Sequence, residues 1–218
     1  MSDLSAARAF MVEGQVRTSD VTDKRITGAM GRIERERFVS SDKRALAYAD
    51  LSVEVKPGRF LLDPRSFAKL LQLAEIQDSD RVLDVACATG YSTAVLCTMS
   101  SDVVALEEDE ELAKFAAPIL RSSEKRGRLF GVVGPHKDGA PTQAPFDVIF
   151  VNGAVEVVPE VWVRQLKEGG RLAVIINEGP IGKAHFCVRK GGALTRRVAF
   201  DATVPVLPGF ERSRSFVF

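Results

Sequence analysis

The chain predicts an α/β fold: a doubly wound, mainly parallel, Rossmann-like sheet with an N-terminal helical extension and a C-terminal antiparallel hairpin. Three observations carry that expectation. From Arg81 onward short apolar runs alternate with helix-compatible segments, the pattern of a parallel sheet covered by helices on both faces. Within it, Arg81-Val82-Leu83-Asp84-Val85-Ala86-Cys87-Ala88-Thr89-Gly90-Tyr91 reads as a buried strand, a tight turn of small residues and a helix N-terminus, and Leu106-Glu107 closes the next apolar run, beginning sixteen residues after Gly90. Near the end, Gly191-Gly192 separates two extended runs, which is a hairpin turn.

The elements follow in order. Residues 4–50 carry apolar side chains at helical spacing; Val16-Arg17 followed by Thr18-Ser19-Asp20 is a stop and cap, and Ile26, Met30 and Ile33 share one face of the next helix, so two or three helices precede the sheet. Pro57-Gly58 marks a turn, and Asp63-Pro64 caps a helix over 66–74 whose Phe67, Leu70 and Leu71 should cover the sheet. Then come strand 81–86, helix 90–98, strand 102–107, helix 109–123, strands 128–133 and 146–151, helix 159–166 and strand 171–177, with the hairpin formed by 184–189 and 194–200. Residues 1–60 read as the helical extension and substrate loop, and 61–218 as one compact ligand-binding unit.

Composition removes several classes of function. With 30 basic against 29 acidic residues the formal charge is +1, which gives no basis for a dedicated nucleic-acid or anionic-membrane binder. Cys87, Cys97 and Cys187 are odd in number and set among small or apolar residues, as expected of buried thiols in a reducing compartment and not of disulfides. With only His136 and His185, and no closely spaced cysteine pair, no metal is expected. The N-terminus, with Asp3 and Arg8, lacks a signal-peptide core, and no run approaches the ~20 apolar residues of a membrane span, so a cytoplasmic protein is expected.

The small-residue turn narrows the ligand. It reads Asp84-x-Ala86-x-Ala88-x-Gly90 and keeps one glycine where a pyrophosphate-binding turn offers three, and the close backbone approach a pyrophosphate needs makes NAD or FAD a poor match. S-adenosylmethionine carries no phosphate, and its methionine end needs only a small-residue floor with a polar rim. Glu107, at the end of the next strand, can accept both hydroxyls of a ribose.

Several blocks in fixed order then resemble the protein-L-isoaspartate O-methyltransferase family over nearly the whole chain. Met11-Val12-Glu13-Gly14-Gln15-Val16-Arg17 with Val21-Thr22-Asp23 looks like its opening helix and turn, and Arg35-Glu36-Arg37-Phe38-Val39 and Ala47-Tyr48-Ala49-Asp50 are similar to its "PRExFVP" and "AYxD" segments, with Glu34 and Ser40 in place of the two prolines. Ala144-Pro145-Phe146-Asp147-Val148-Ile149, Val157-Val158-Pro159 and Gln165-Leu166-Lys167-Glu168-Gly169-Gly170-Arg171-Leu172 continue the match through the family's fourth and fifth strands. The resemblance implies a methyltransferase fold, S-adenosylmethionine as cofactor, and a damaged, isoaspartyl protein or peptide as substrate for carboxyl methylation. It also implies site residues. Asp84, Ala86, Ala88 and Gly90 would floor the methionine and ribose portions, Glu107 would hold the ribose hydroxyls, Gly134 would lie in the loop after the third strand, and Asn152, Gly153 and Ala154 would border the reactive methyl.

Three departures bear on activity. In the loop Gly58-Arg59-Phe60-Leu61-Leu62-Asp63-Pro64, Leu62 stands where the family's "GQTISQP" has a serine and can make no side-chain hydrogen bond, so no catalytic residue is certain there; Arg59 is the nearest candidate to replace the lost contact with a substrate carboxylate. The family's "GDG" becomes Gly134-Pro135-His136, with Asp138 a substitute for the lost carboxylate only if the loop shifts, and Ala86 and Ala88 each add a methyl to the turn. His136 and His185 have no evident carboxylate partner and are given no role. A methyltransferase with another acceptor, or a non-catalytic binding protein of the same fold, remains open.

Overall fold

A computed structural model describes residues 4–179 and 181–212; Asp3 lies outside the described residues. Helix α1 (Leu4–Met11) runs into a π-helical turn over Val12–Val16 and a 3-10 turn over Arg17–Ser19, which stops where Asp20 turns left-handed at φ 62°. Helix α2 (Lys24–Arg32) starts where the Asp23 carboxylate accepts the Arg25 N–H at 2.8 Å, the ordinary N-cap geometry. The remaining helical pattern before the sheet is spent on two short 3-10 segments, Arg35–Phe38 and Ser41–Leu46. Where the sequence suggests only a turn at Pro57-Gly58, the chain forms a small antiparallel hairpin of β1 (Val53–Lys56) and β2 (Arg59–Leu61). Helix α3 (Pro64–Leu73) follows, with the Asp63 carboxylate accepting from Ser66 N at 2.8 Å and proline in the first turn, where its missing N–H costs nothing.

Strands β3 (Arg81–Val85), β4 (Asp102–Glu107), β5 (Arg128–Val133), β6 (Phe146–Val155), β7 (Leu166–Ile176), β8 (Lys183–Lys190) and β9 (Ala193–Asp201) form one sheet in the order β5-β4-β3-β6-β7-β8-β9. Pairing is parallel from β5 to β7 and antiparallel across β7-β8-β9. The expected parallel sheet with an antiparallel ending is therefore what the chain adopts. The largest boundary differences from the sequence reading are in two strands: β6 continues four residues past 151, and β7 begins at Leu166 where a helix end was expected. Gly170 is the reason for the second difference. A side chain at Gly170 would meet the Lys167 carbonyl at 2.8 Å and the Phe146 carbonyl at 3.1 Å, so only glycine lets β7 enter this close to β6.

Helices α4 (Tyr91–Leu96), α5 (Glu110–Ser122) and α6 (Glu160–Gln165) complete the layers. One apolar layer joins α1–α5 to one sheet face through Met11, Ile26, Met30, Phe67, Tyr91 and Leu120, with Ala202 and Val204 beside them; the other joins α6, Leu207 and Phe210 to the opposite face through Phe146 and Trp162. Phe67 packs tilted against Tyr91 at 5.4 Å and edge-to-face against Phe150 at 5.9 Å, and this cluster holds the start of α4 against the sheet. Strands β4, β3 and β6 are neighbours, so their C-terminal ends form the crevice where open α/β sheets take ligands. Among the described residues no helix is long and apolar enough to cross a membrane.

Candidate functional site

The turn after β3 is wound through the left-handed region of backbone conformation. Ala86 (φ 60°), Ala88 (φ 51°) and Gly90 (φ 93°) alternate in the left-handed region. Two alanines there cost roughly 1–2 kcal/mol each, strain that the surrounding hydrogen bonds must hold. Gly90 N donates to the Cys87 carbonyl at 2.8 Å and Cys87 N to the Leu106 carbonyl at 3.2 Å. Only Gly90 remains a glycine, because a side chain there would meet Leu120 at 3.0 Å and Ala116 at 3.1 Å on α5.

Asp84 is buried beneath this turn. Its Oδ2 accepts from Ser92 Oγ at 2.8 Å and Thr93 Oγ1 at 2.6 Å, and its Oδ1 from Asn152 Nδ2 at 2.5 Å. Three donors favour the carboxylate, yet burial outweighs them and, with the Glu107 charge adding to it, pushes the pKa up to about 7. A raised folded pKa means that the fold favours the neutral acid: the stabilisation is complete below about 3.8, the unfolded value, and is lost as pH rises through about 7. Asp84→Asn should therefore match the parent near pH 4 and gain about 1–3 kcal/mol above pH 8. Urea unfolding of both proteins at the two pH values checks this, and an asparagine variant that is the less stable of the pair at high pH would refute it.

Glu107 ends β4 and is 1 % exposed. Its partners come from three directions. Arg59 of β2 clasps it with both terminal nitrogens, Nη1 at 2.5 Å from Oε1 and Nη2 at 2.7 Å from Oε2. Ala88 N of the turn donates to Oε2 at 2.7 Å, and Asp109 N at the start of α5 donates to Oε1 at 3.0 Å. Burial alone would push this carboxyl up, but contact with His136 and the Arg59 guanidinium outweigh it and hold the pKa at about 2.

Two expectations change here. Arg59 is not free for a substrate carboxylate: at 5 % exposure it is buried against Glu107, because the β1–β2 hairpin lays it across the end of β4. His136, given no role from sequence, is completely buried with Nε2 3.5 Å from Glu107 Oε1. The Glu108 N–H donates to Nε2 at 3.1 Å, and Nδ1 lies 3.3 Å from the Glu108 carboxylate without forming a hydrogen bond. The loop turns inward because Trp162 Nε1 donates to the His136 carbonyl at 2.9 Å. Asp138 stays exposed, so the side chain brought to this end of the crevice is the imidazole. A polar residue just after a strand next to the chain reversal was the signal available in the sequence.

The other expected positions are distributed unevenly. Gly134 N donates to the Glu107 carbonyl at 3.1 Å and ties the end of β5 to β4. Asn152 is 8 % exposed and stands beside Asp84. Ala154 is covered, since its N–H donates to the Pro205 carbonyl at 2.9 Å and its own carbonyl accepts from Leu207 N at 2.8 Å. Leu62 is 3 % exposed, packed in the core, and its carbonyl accepts from Arg35. Arg35, a second residue the sequence did not single out, is fully buried with its guanidinium 4.7 Å over the Tyr91 ring; burial pushes its pKa down. Between Leu62, Asn152 and the turn lies a cavity of only ≈ 10 Å³, room for about one water. On the α5 side of Glu107 a larger apolar cavity of ≈ 590 Å³ opens between Ala105 and Leu129 of the sheet and Ala113, Ala116 and Ala117 of the helix. Cys87, Cys97 and Cys187 are buried thiols, as expected.

Known proteins similar to this chain share one family description. The family model for protein-L-isoaspartate(D-aspartate) O-methyltransferase matches residues 8–204. A protein-L-isoaspartate O-methyltransferase of Methylorubrum populi is 38% identical over 177 residues, covering 81% of this chain and 82% of the relative. One of Koribacter versatilis is 35% identical over 196 residues, 89% of this chain and 86% of its own length. A solved protein-L-isoaspartate O-methyltransferase superposes with a TM-score of 0.79 at 26% identity, over 93% of this chain and 66% of that one. A Plasmodium falciparum chain solved in complex with S-adenosyl-L-homocysteine shares the fold, with a TM-score of 0.78 at 20% identity over 92% and 97% of the two chains. The order of sequence blocks, the sheet with its antiparallel ending and the near full-length match make this chain a member of the protein-L-isoaspartate(D-aspartate) O-methyltransferase family.

Proposed function

We propose that the chain is an S-adenosylmethionine-dependent carboxyl O-methyltransferase that acts on isoaspartyl groups in damaged proteins. The observation that carries this reading is the set of polar groups on three adjacent strands: Glu107 at the end of β4, Asp84 on β3 and Asn152 on β6, grouped around a left-handed turn at the ligand end of the sheet. The donor set fits the cofactor. Glu107 has the carboxylate chemistry that accepts a ribose diol, the small residues Ala86, Ala88 and Gly90 keep bulk out of the buried turn, and the cavity of ≈ 590 Å³ beside Glu107 is within the ~300–1,000 Å³ range of small-molecule sites.

The cofactor, when bound, supplies a methyl group on a positively charged sulfur that leaves as a neutral thioether. An acceptor carboxylate is already ionised near neutral pH, so the chain needs no general base, and its work is alignment and exclusion of water. Phe60, Leu62, Phe67 and Tyr91 give the small cavity between Leu62, Asn152 and the turn a largely apolar wall, which would keep water from a methyl group carried there. Asp84 holds Asn152 through Oδ1 and the first turn of α4 through Oδ2, which fixes the floor on which the reacting groups would be aligned. The buried thiols and balanced charge support a cytoplasmic setting.

Incubation of the protein with labelled S-adenosylmethionine and an isoaspartyl peptide should transfer label as a base-labile ester, and the matching aspartyl peptide should stay unlabelled. Transfer no greater than in an enzyme-free control would remove this reading.

A further inference from the structure

We propose that Arg59 is an internal competitor for the ligand at Glu107, so that the β1–β2 hairpin is a clasp whose release admits the nucleoside end of the cofactor. The inference rests on the cofactor reading given above and names the residue that sets the affinity of that site.

The argument begins with lone pairs. An ionised carboxylate offers about four acceptor positions. At Glu107, Oε1 already receives Arg59 Nη1 and Asp109 N, and Oε2 receives Arg59 Nη2 and Ala88 N. Nothing is left for a diol, which must therefore displace a donor. Two of the four are main-chain amides, held by the turn after β3 and by the first turn of α5. Arg59 is the one that can leave, because it sits on a three-residue strand whose sole sheet partner is β1. Its present position is also incompletely satisfied: Arg59 Nε is buried with no hydrogen-bond partner, a donor that water would satisfy once the side chain swung out.

The rest of the hairpin shows how the clasp is fastened. Lys56 of β1 bridges to Asp109 at 2.5 Å and Glu111 at 2.6 Å, on the same stretch of chain that follows Glu107. Lys56 is 33 % exposed, so this outer fastening is weaker than the dry inner one between Arg59 and Glu107. Opening breaks both, exposes the ends of β3 and β4, and frees acceptor positions on the carboxylate that already lines the adjoining apolar cavity. Closed, the arrangement excludes ligand; open, it has one carboxylate, two fixed amides and apolar room.

Calorimetric titration of S-adenosylhomocysteine into the full chain tests this on three proteins: the parent, Lys56→Ala and Arg59→Ala. Arg59→Ala should bind at least tenfold more tightly than the parent, and Lys56→Ala a few-fold more tightly. In the parent, saturating ligand should increase amide hydrogen exchange over residues 53–61, and this second measurement keeps the proposal testable should Arg59→Ala fail to fold. Parent-like or weaker binding by folded Arg59→Ala, or hairpin amides that become protected on binding, overturns the clasp and leaves the cofactor reading intact. No binding by any of the folded proteins overturns both.

Discussion

Glu107→Gln should lower the stability of the folded protein by about 3–5 kcal/mol, the usual consequence of stripping one partner from a buried ion pair. The pair is dry on both sides, with side-chain exposures of 6 % for Arg59 and 2 % for Glu107. The glutamine keeps the shape but leaves a guanidinium buried without a counter-ion, and its amide nitrogen meets donors where a carboxylate oxygen had accepted them. Urea unfolding by linear extrapolation measures the loss. A double variant, Arg59→Met with Glu107→Met, should recover most of it, because two apolar side chains of similar length need no partner. The loss should also depend on pH. Glu107 has a depressed pKa, about 2 against an ordinary 4.5, so its contribution is complete above about 4.5 and disappears as pH falls through about 2. The difference between parent and Glu107→Gln should therefore be constant from pH 5 to 8 and shrink below pH 4. A variant within about 1 kcal/mol of the parent at pH 7 would mean that the pair is not the inner fastening described here.

Trp162→Ala is the second large effect, also about 3–5 kcal/mol. Trp162 is completely buried, its ring lies 5.4 Å from that of Phe210, and its Nε1 donates to the His136 carbonyl at 2.9 Å. Truncation opens a large cavity between α6 and the sheet and removes the bond that turns the His136 loop inward. Trp162→Phe, which keeps most of the volume and loses the donor, should cost about 1–2 kcal/mol. Because this is the only tryptophan in the chain, circular dichroism replaces fluorescence as the probe of unfolding. If alanine and phenylalanine variants are equally stable, volume is not what Trp162 supplies and the packing of this layer has been misjudged.

The two effects meet at one place, the end of β4. Arg59 covers Glu107 from the hairpin side, His136 supports it from behind, and Trp162 holds His136. Each contact joins segments far apart in the chain: 48 residues between Arg59 and Glu107, and 26 between His136 and Trp162. Such pairs have no local signature. Arg59 in the sequence is an arginine in a loop, and nothing near it distinguishes a solvated side chain from a buried counter-ion.

What the sequence determined by itself is everything that repeats locally or is punctuated by backbone chemistry. Alternating apolar runs specified β3, β4 and β5 nearly residue for residue, Asp63-Pro64 specified the start of α3, and Gly191-Gly192 specified the β8–β9 turn. The order of blocks identified the family before any contact was known. The spacing from Asp84 to Glu107 likewise placed these two carboxyls on neighbouring parallel strands, since it follows from one strand, one helix and the next strand. Tertiary structure alone decided three things: that the short residues 53–61 pair as a hairpin, that β7 starts at Leu166, and that Glu107 faces Arg59. The physical reason is the same in each case. Periodicity reports which face of an element is buried, whereas a two-partner contact between distant segments depends on how whole layers pack, and a charge is drawn inward only when that packing brings its counter-ion to the same dry place.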